Sequence, residues 1–155
     1  MLKKLIFALL IAVPLFASGG NDEITPENVL AYMNTDRADA GLPPLHIDAR
    51  LTKAAEDRMH DMEDGGWWSH ESPNGLSPFT WLTLRDYGYE AAGENLARGF
   101  DTAPFLVESW MESHGHRENI MSPLYEDCGI AIIDGATTGR ATGKSVVVLF
   151  AKPRR

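Results

Sequence analysis

Apolar residues recur at helical spacing through most of the chain and form continuous runs only near its end. After a polar lead-in at Asn21 to Glu23, the positions Val29, Leu30, Met33, Arg37 and Ala40 follow one helix face. Thr25-Pro26 opens this helix, because Thr25 can accept from the first turn and proline suits the first helical position. Ile24 and Val29 flank the start as a hydrophobic staple, and Gly41 is a natural stop. Leu42-Pro43-Pro44-Leu45 must then be extended, since a residue before proline avoids the helical region. Asp48 caps a second helix predicted to reach about Asp64, with Leu51, Ala54, Ala55, Met59 and Met62 on its apolar face. Glu56, Asp57, Asp61, Glu63 and Asp64 make its other face a solvated one, with His60 among them.

Gly65-Gly66 ends that helix, and Ser72-Pro73-Asn74-Gly75 is a turn by composition. Ser77-Pro78 predicts a third helix through Phe79, Leu82 and Tyr87 to Gly88. Asp101 or Thr102 with Pro104 opens another, striped by Leu106, Val107, Trp110 and Met111, and a short helical turn over His116 to Met121 stops before Pro123. The character then changes. Cys128 to Ile133 is a strand candidate, and Ser145 to Ala151 is a second whose lack of polar alternation predicts burial on both faces. The Gly- and Thr-rich loop from Gly135 to Gly143 makes them an antiparallel pair. Early helices and late strands in one domain predict an α+β fold with helices covering both faces of a small sheet.

The N-terminus has a separate logic. Lys3 and Lys4 precede an apolar run from Leu5 to Phe16, broken by Pro14 and followed by Ala17-Ser18-Gly19, which is the pattern of a secretory signal peptide over residues 1–19. The run falls short of the ~20 residues a bilayer span needs, and no cysteine follows it to carry a lipid. Residues 20–155 are then expected to be one domain, secreted or periplasmic, with no stable membrane anchor after cleavage. Losing Lys3 and Lys4 takes the formal charge from −8 to −10, because that segment carries no acidic residue. So acidic a surface repels phosphate backbones, which argues against nucleic acid as a partner. Cys128 is the sole cysteine, so no internal disulfide is possible, and its apolar surroundings favour a small buried hydrophobe over a reactive thiol.

Candidate chemistry lies in three segments: Trp67-Trp68-Ser69-His70, Gly93-Glu94-Asn95-Leu96-Ala97, and His114-Gly115-His116-Arg117. Each sets an imidazole or carboxylate among residues that otherwise read as packed, where an unpaired polar group costs roughly 1–3 kcal/mol. Mutual pairing across a cleft would satisfy them. Two imidazoles and a carboxylate suit zinc or another divalent cation and leave a position for water. A structural role is open to each as well: a satisfied core-edge histidine for His70, a turn carboxylate for Glu94, a helix-end cap for His116. His114, two residues from His116, diverges from it on a helix or turn and is left outside the site. His46 reads as a surface or structural residue. No His-Glu-x-x-His helix and no Gly-x-Ser-x-Gly elbow is present.

These segments carry a resemblance. Asn34-Thr35-Asp36-Arg37 with Gly41-Leu42-Pro43-Pro44-Leu45, Leu51 to Met62, Ser69-His70-Glu71-Ser72-Pro73-Asn74-Gly75, Gly93-Glu94-Asn95-Leu96-Ala97, and Trp110 through Ile120 together resemble the CAP superfamily. That superfamily contains cysteine-rich secretory proteins, antigen 5 and plant pathogenesis-related 1 proteins, and the chain is most similar to its cysteine-poor bacterial branch. The resemblance implies an α-β-α sandwich with a small antiparallel sheet between helical layers. It also implies a central cleft lined by two histidines and two glutamates, which in some members binds zinc or another divalent ion. His70, Glu94 and His116 match three of those places. The fourth is Ser113. The neighbouring Glu112 is offset by about 100° of helix rotation, so a metal should be held less tightly.

The function expected from all this is a secreted module whose cleft at His70, Glu94 and His116 binds a divalent metal, a ligand, a lipid or a protein partner, without catalysis and without an organic cofactor. The alternative is a metal-dependent hydrolase or peptidase, in which His70 and His116 hold the metal and Glu94 is general base or third ligand.

Overall fold

The computed structural model describes residues 22–135 and 143–155. The expected signal peptide and most of the loop between Gly135 and Gly143 lie outside the described residues. Helix α1 spans Pro26–Asp39, and Thr25 caps it as expected, its hydroxyl accepting from the Asn28 N–H. Strand β1 is only His46–Ile47. Helix α2 covers Ala49–Gly65, capped by Asp48, which accepts from the amides of Arg50 and Leu51, and closed by Gly66 in the left-handed region (φ 66°). A short helix α3 (Thr80–Leu84), strand β2 (Tyr89–Phe100), helices α4 (Ala103–Glu112) and α5 (His114–Ile120), and strands β3 (Asp127–Asp134) and β4 (Lys144–Pro153) complete the order.

The four strands form one sheet in the order β1-β3-β4-β2. The β3–β4 and β4–β2 pairs are antiparallel, while the two residues of β1 run parallel to β3. The expected antiparallel sheet is thus mixed at one short edge. Burial divides along β4 by parity. Val146, Val148 and Phe150 pack with Ile24, Val29 and Met33 of the α1 side and with Leu106, Trp110 and Ile120 of α4 and α5. Val147, Leu149 and Ala151 pack with Leu51, Met59 and Met62 of α2 and with Trp81 and Leu82 of α3. Both faces of β4 are buried, as its unbroken apolar run predicts, and the molecule is an α-β-α sandwich. Close approach of α2 to the sheet depends on Gly129, where a Cβ would come within 2.0 Å of the Leu51 carbonyl carbon.

Four expectations are corrected. Periodicity predicts two strands where the described residues form four; β2 is missed because its Tyr-Glu-Ala-Ala-Gly-Glu-Asn run has weak strand propensity and no alternation. The two residues of β1 are too few to leave a pattern. The third helix is not opened at Ser77-Pro78 but starts at Thr80 and ends at Leu84. The last helical turn begins at His114 rather than His116.

Two side chains of α1 tie down the connections around it. Asn34 donates Nδ2–H to the Leu45 carbonyl (3.1 Å) and accepts from the Leu45 amide (2.8 Å), standing in for a strand partner of the proline-rich segment. Arg37, fully buried, donates Nε–H to Pro43 O (2.9 Å), Nη1–H to Ile120 O (2.7 Å) and Ser122 O (2.8 Å), and Nη2–H to Tyr125 O (3.3 Å). Hydrogen bonds to a charged group contribute about 1.5–3 kcal/mol each. Arg37→Ala strands four carbonyls and leaves a void, so urea unfolding should show a loss of about 3 kcal/mol or more, whereas Lys53→Ala on the exposed face of α2 should stay within about 0.5 kcal/mol.

Candidate functional site

The site grows out of one position on α2. The buried stripe Leu51, Ala54, Ala55, Met59 and Met62 also contains Arg58, which is fully buried. A buried guanidinium needs partners on its nitrogens. Nε–H of Arg58 donates to Glu94 Oε2 at 2.9 Å, and Nη2–H donates to the carbonyls of Ser69 (2.6 Å) and His70 (3.0 Å). Its charge lies over the rings of Trp67 (4.8 Å) and Trp81 (5.2 Å), an arrangement that stabilises a desolvated cation. Glu94, on β2, is 5% exposed, and its second oxygen, Oε1, accepts from His70 Nδ1 at 2.8 Å. The result is a chain from Arg58 to Glu94 to His70.

That chain fixes the imidazole. With Nδ1–H directed at the carboxylate, the tautomer assigned by the hydrogen-bond network leaves Nε2 on the side of the ring away from Glu94. The His116 ring stands 6.4 Å from the His70 ring and 6.3 Å from that of Trp110. Asn95 and Asn119 set its place. Asn95, fully buried, donates Nδ2–H to His116 O (3.1 Å), and Asn119 Nδ2–H bridges Asn95 Oδ1 (2.9 Å) and Glu94 O (3.1 Å). A cavity of about 460 Å³ opens beside His70 and Glu94, walled by Phe79 and Pro78 on one side and by Ala92, Gly93 and Asn119 on the other. His116 stands next to His70 and is not in that wall.

The structure therefore brings His70, Glu94 and His116 together. His114 is 88% exposed and faces Glu118 at 3.4 Å, apart from the site. Ser113 is the extended residue at which α4 gives way to α5, and Glu112 is exposed. His46 and His60 are exposed, and Cys128 is a free, buried thiol whose pKa burial pushes up to about 12. As donors, the two imidazoles suit a borderline divalent ion. Both oxygens of Glu94 already accept a bond, and among the described residues no group of three or more His, Cys, Asp or Glu side chains is placed to hold one ion. Arg58, Asn95 and Asn119 were not singled out in the sequence as site residues. For Arg58 a signal existed, a charged residue at helical spacing within an apolar stripe.

The CAP family model, described as the cysteine-rich secretory protein family, matches residues 30–150. The chain belongs to the CAP family. The uncharacterised Bacillus subtilis (strain 168) protein YkwD is 36% identical over 111 residues, which is 72% of this chain and 43% of that protein. A second one, the uncharacterised membrane protein YlbC, is 28% identical over 106 residues, 68% of this chain and 31% of that protein. This CAP chain thus spans less than half the length of these curated relatives. Among solved structures, an extracellular SCP-domain protein from Bacillus anthracis superposes with a TM-score of 0.70 at 24% identity, over 85% of this chain and 45% of that one. An outer surface protein from Borrelia burgdorferi superposes with a TM-score of 0.73 at 22% identity, over 87% and 99%. Both likenesses concern the fold. Those two proteins are described as extracellular or outer-surface, and no helix among the described residues of this CAP domain is long and apolar enough to cross a membrane.

The two imidazoles titrate in opposite directions. The hydrogen bond that His70 donates to Glu94 raises the His70 pKa, against burial and the Arg58 charge; burial first, then the neighbouring His70, lowers that of His116. A raised imidazole stabilises the fold fully below its unfolded value of about 6.5 and loses that contribution as pH rises through the folded value. His116 does the reverse, contributing above about 6.5 and losing it as pH falls through its lowered value. His70's side chain is 58% exposed, so solvent screens much of its share. In Glu94→Gln the His70 titration followed by NMR should move down, and the part of the stability that falls as pH rises above about 6.5 should vanish. The variant also strands Arg58, a loss of about 3–5 kcal/mol at every pH, read from urea midpoints.

Proposed function

We propose that this CAP domain is an exported binding module, and that its cleft takes a divalent cation and a ligand without performing catalysis. The observation that carries the reading is the buried Arg58–Glu94–His70 chain. It holds an imidazole in one tautomer and one orientation at the wall of an open cavity, and a carboxylate behind a histidine is the common way to orient a metal-binding ring. On this reading His70 and His116 supply the protein donors. Glu94, expected from the sequence as a third donor, serves to aim His70. With two donors and Ser113 in the place of the fourth family residue, the cation is held weakly, and water or a ligand completes its shell. A bound cation would offer Lewis-acid positions to an anionic or carbonyl group in the cavity.

Non-catalytic binding is favoured over hydrolysis by what surrounds the imidazoles. Among the described residues no serine, threonine or cysteine side chain bonds to either ring, and both oxygens of Glu94 already accept hydrogen bonds, from Arg58 and from His70. Export is supported by the basic-apolar N-terminus and by the extracellular or outer-surface descriptions of the structural relatives.

Zinc titration by calorimetry on the purified protein tests the reading. The wild type should bind one ion per chain with a Kd near the micromolar range, roughly 10⁻⁶ M. His70→Ala and His116→Ala should each weaken it about tenfold or more, as should Glu94→Gln, within the 10–100-fold typical of lost orienting groups. Wild-type affinity in both histidine variants would sink the two-imidazole site, and chelator-sensitive hydrolysis restored by zinc would replace binding with catalysis.

A further inference from the structure

The outer edge of β2 has a gap in its cover. In a strand, main-chain N–H and C=O groups turn alternately to either side. Cys128 O accepts from the Asp48 N–H on the β1 side, so the even-numbered residues of β3 face away from β4, and Gly129, Ala131 and Ile133 face it. Their register partners are Leu149, Val147 and Ser145. The even-numbered residues of β4 therefore turn to β2, where Phe150, Val148 and Val146 meet Gly93, Asn95 and Ala97. By this count Ala92, Glu94 and Leu96 direct their main-chain groups outward, away from the sheet. Two bonds made independently of the count agree with it. Leu96 O accepts from Trp110 Nε1 (3.2 Å) and Glu94 O from Asn119 Nδ2 (3.1 Å).

The side-chain caps stop there. Among the described residues nothing bonds to the N–H and C=O of Ala92 or to the N–H of Glu94 on this outer side, and both residues wall the 460 Å³ cavity. An open sheet edge is a template for another extended chain. The opposite wall is built from the 70–79 segment, with Phe79 and Pro78 offering apolar contact and Ser77 and Gly75 leaving room. We infer that the cleft binds a short, extended polypeptide segment, which adds to β2 through the main chain of Ala92 and the Glu94 N–H. The segment ends at Glu94, where Asn119 already occupies the carbonyl, so its last residue lies beside His70. This rests on reading the cavity as a binding cleft and names what the cleft takes.

The probe is an equimolar pool of random-sequence hexapeptides, with the same pool N-methylated at alternate residues as its control. N-methylation removes main-chain donors and leaves every side chain in place. On ¹⁵N-labelled protein, the unmethylated pool should shift the Ala92 and Glu94 amides and slow their exchange with solvent. The methylated pools should bind about tenfold more weakly. Ala92→Pro deletes an outward N–H without touching a bond to β4, a place where an edge strand tolerates proline, and should weaken the pool by about tenfold as well. No shift at Ala92 with the pool near ~1 mM, equal binding of methylated and unmethylated pools, or shifts confined to the outer edge of β3 would each overturn the inference. Zinc titration followed on the His70 and His116 ring signals reads the cleft separately: a zinc response without a peptide response removes the extended-chain ligand alone. Loss of both responses removes the cleft reading with it.

Discussion

The ion pair between Arg58 and Glu94 is the contact on which the rest of this structure depends. Both side chains are almost fully removed from water, at 0% and 2% exposure, so each needs the other. A buried pair gives little net stability relative to an apolar replacement, yet removing one partner is severe because the remaining charge is left alone. Here that constraint links α2 to β2 across one helix–sheet interface. It also places the main chain of Ser69 and His70, because Nη2 of Arg58 donates to both of their carbonyls. Trp67 and Trp81 close around the guanidinium from the faces its hydrogen bonds do not use. The orientation of His70 is thus a by-product of satisfying a buried charge, and the cavity wall cannot be altered at Glu94 without disturbing the core.

A second buried guanidinium plays a comparable part on the opposite face of the sheet. Arg37 meets carbonyls from three separate stretches, Pro43, Ile120 with Ser122, and Tyr125; Ile120 is the last residue of α5 and the other three lie outside helix and strand. Where Arg58 is neutralised by a carboxylate, Arg37 is satisfied by dipoles alone. The segment it holds includes the end of α5, and Asn119 and Asn95 connect that helix to β2 and to His116. Each imidazole of the site is therefore positioned from its own helical layer, His70 through α2 and His116 through α5, with β2 as the common support.

Much of this fold is legible in the amino-acid sequence. The caps at Thr25 and Asp48, the apolar face of α2 and the doubly buried β4 follow from periodicity and local hydrogen-bond chemistry, which are short-range properties. The three candidate residues are legible as polar groups in apolar settings, and the structure brings their side chains near one another. What was not legible is long-range. Arg58 and Arg37 sit on the apolar stripes of their helices, where spacing predicts burial, but the partners that permit it are 36 residues away for Glu94 and 83 for Ile120. Nothing in the local sequence of α2 names them.

Strand β2 was missed for a reason tied to its position. Its residues fit the site better than they fit a generic strand. Glu94 turns toward α2 to meet Arg58, while Gly93 and Asn95 turn the other way, toward α5. A Cβ at Gly93 would come within 2.5 Å of Asn119 Oδ1 and 2.8 Å of the Tyr125 hydroxyl, displacing the Asn119 side chain that bonds Glu94 O and Asn95 Oδ1. A valine or isoleucine at Glu94 or Asn95 would raise strand propensity and remove a contact that fixes an imidazole or its main chain. Local preference and global structure conflict where a strand must also be the wall of a site, and the conflict is resolved here by β4. Its continuous apolar run, paired along nearly all of β2, supplies the strand partner that the composition of β2 does not call for.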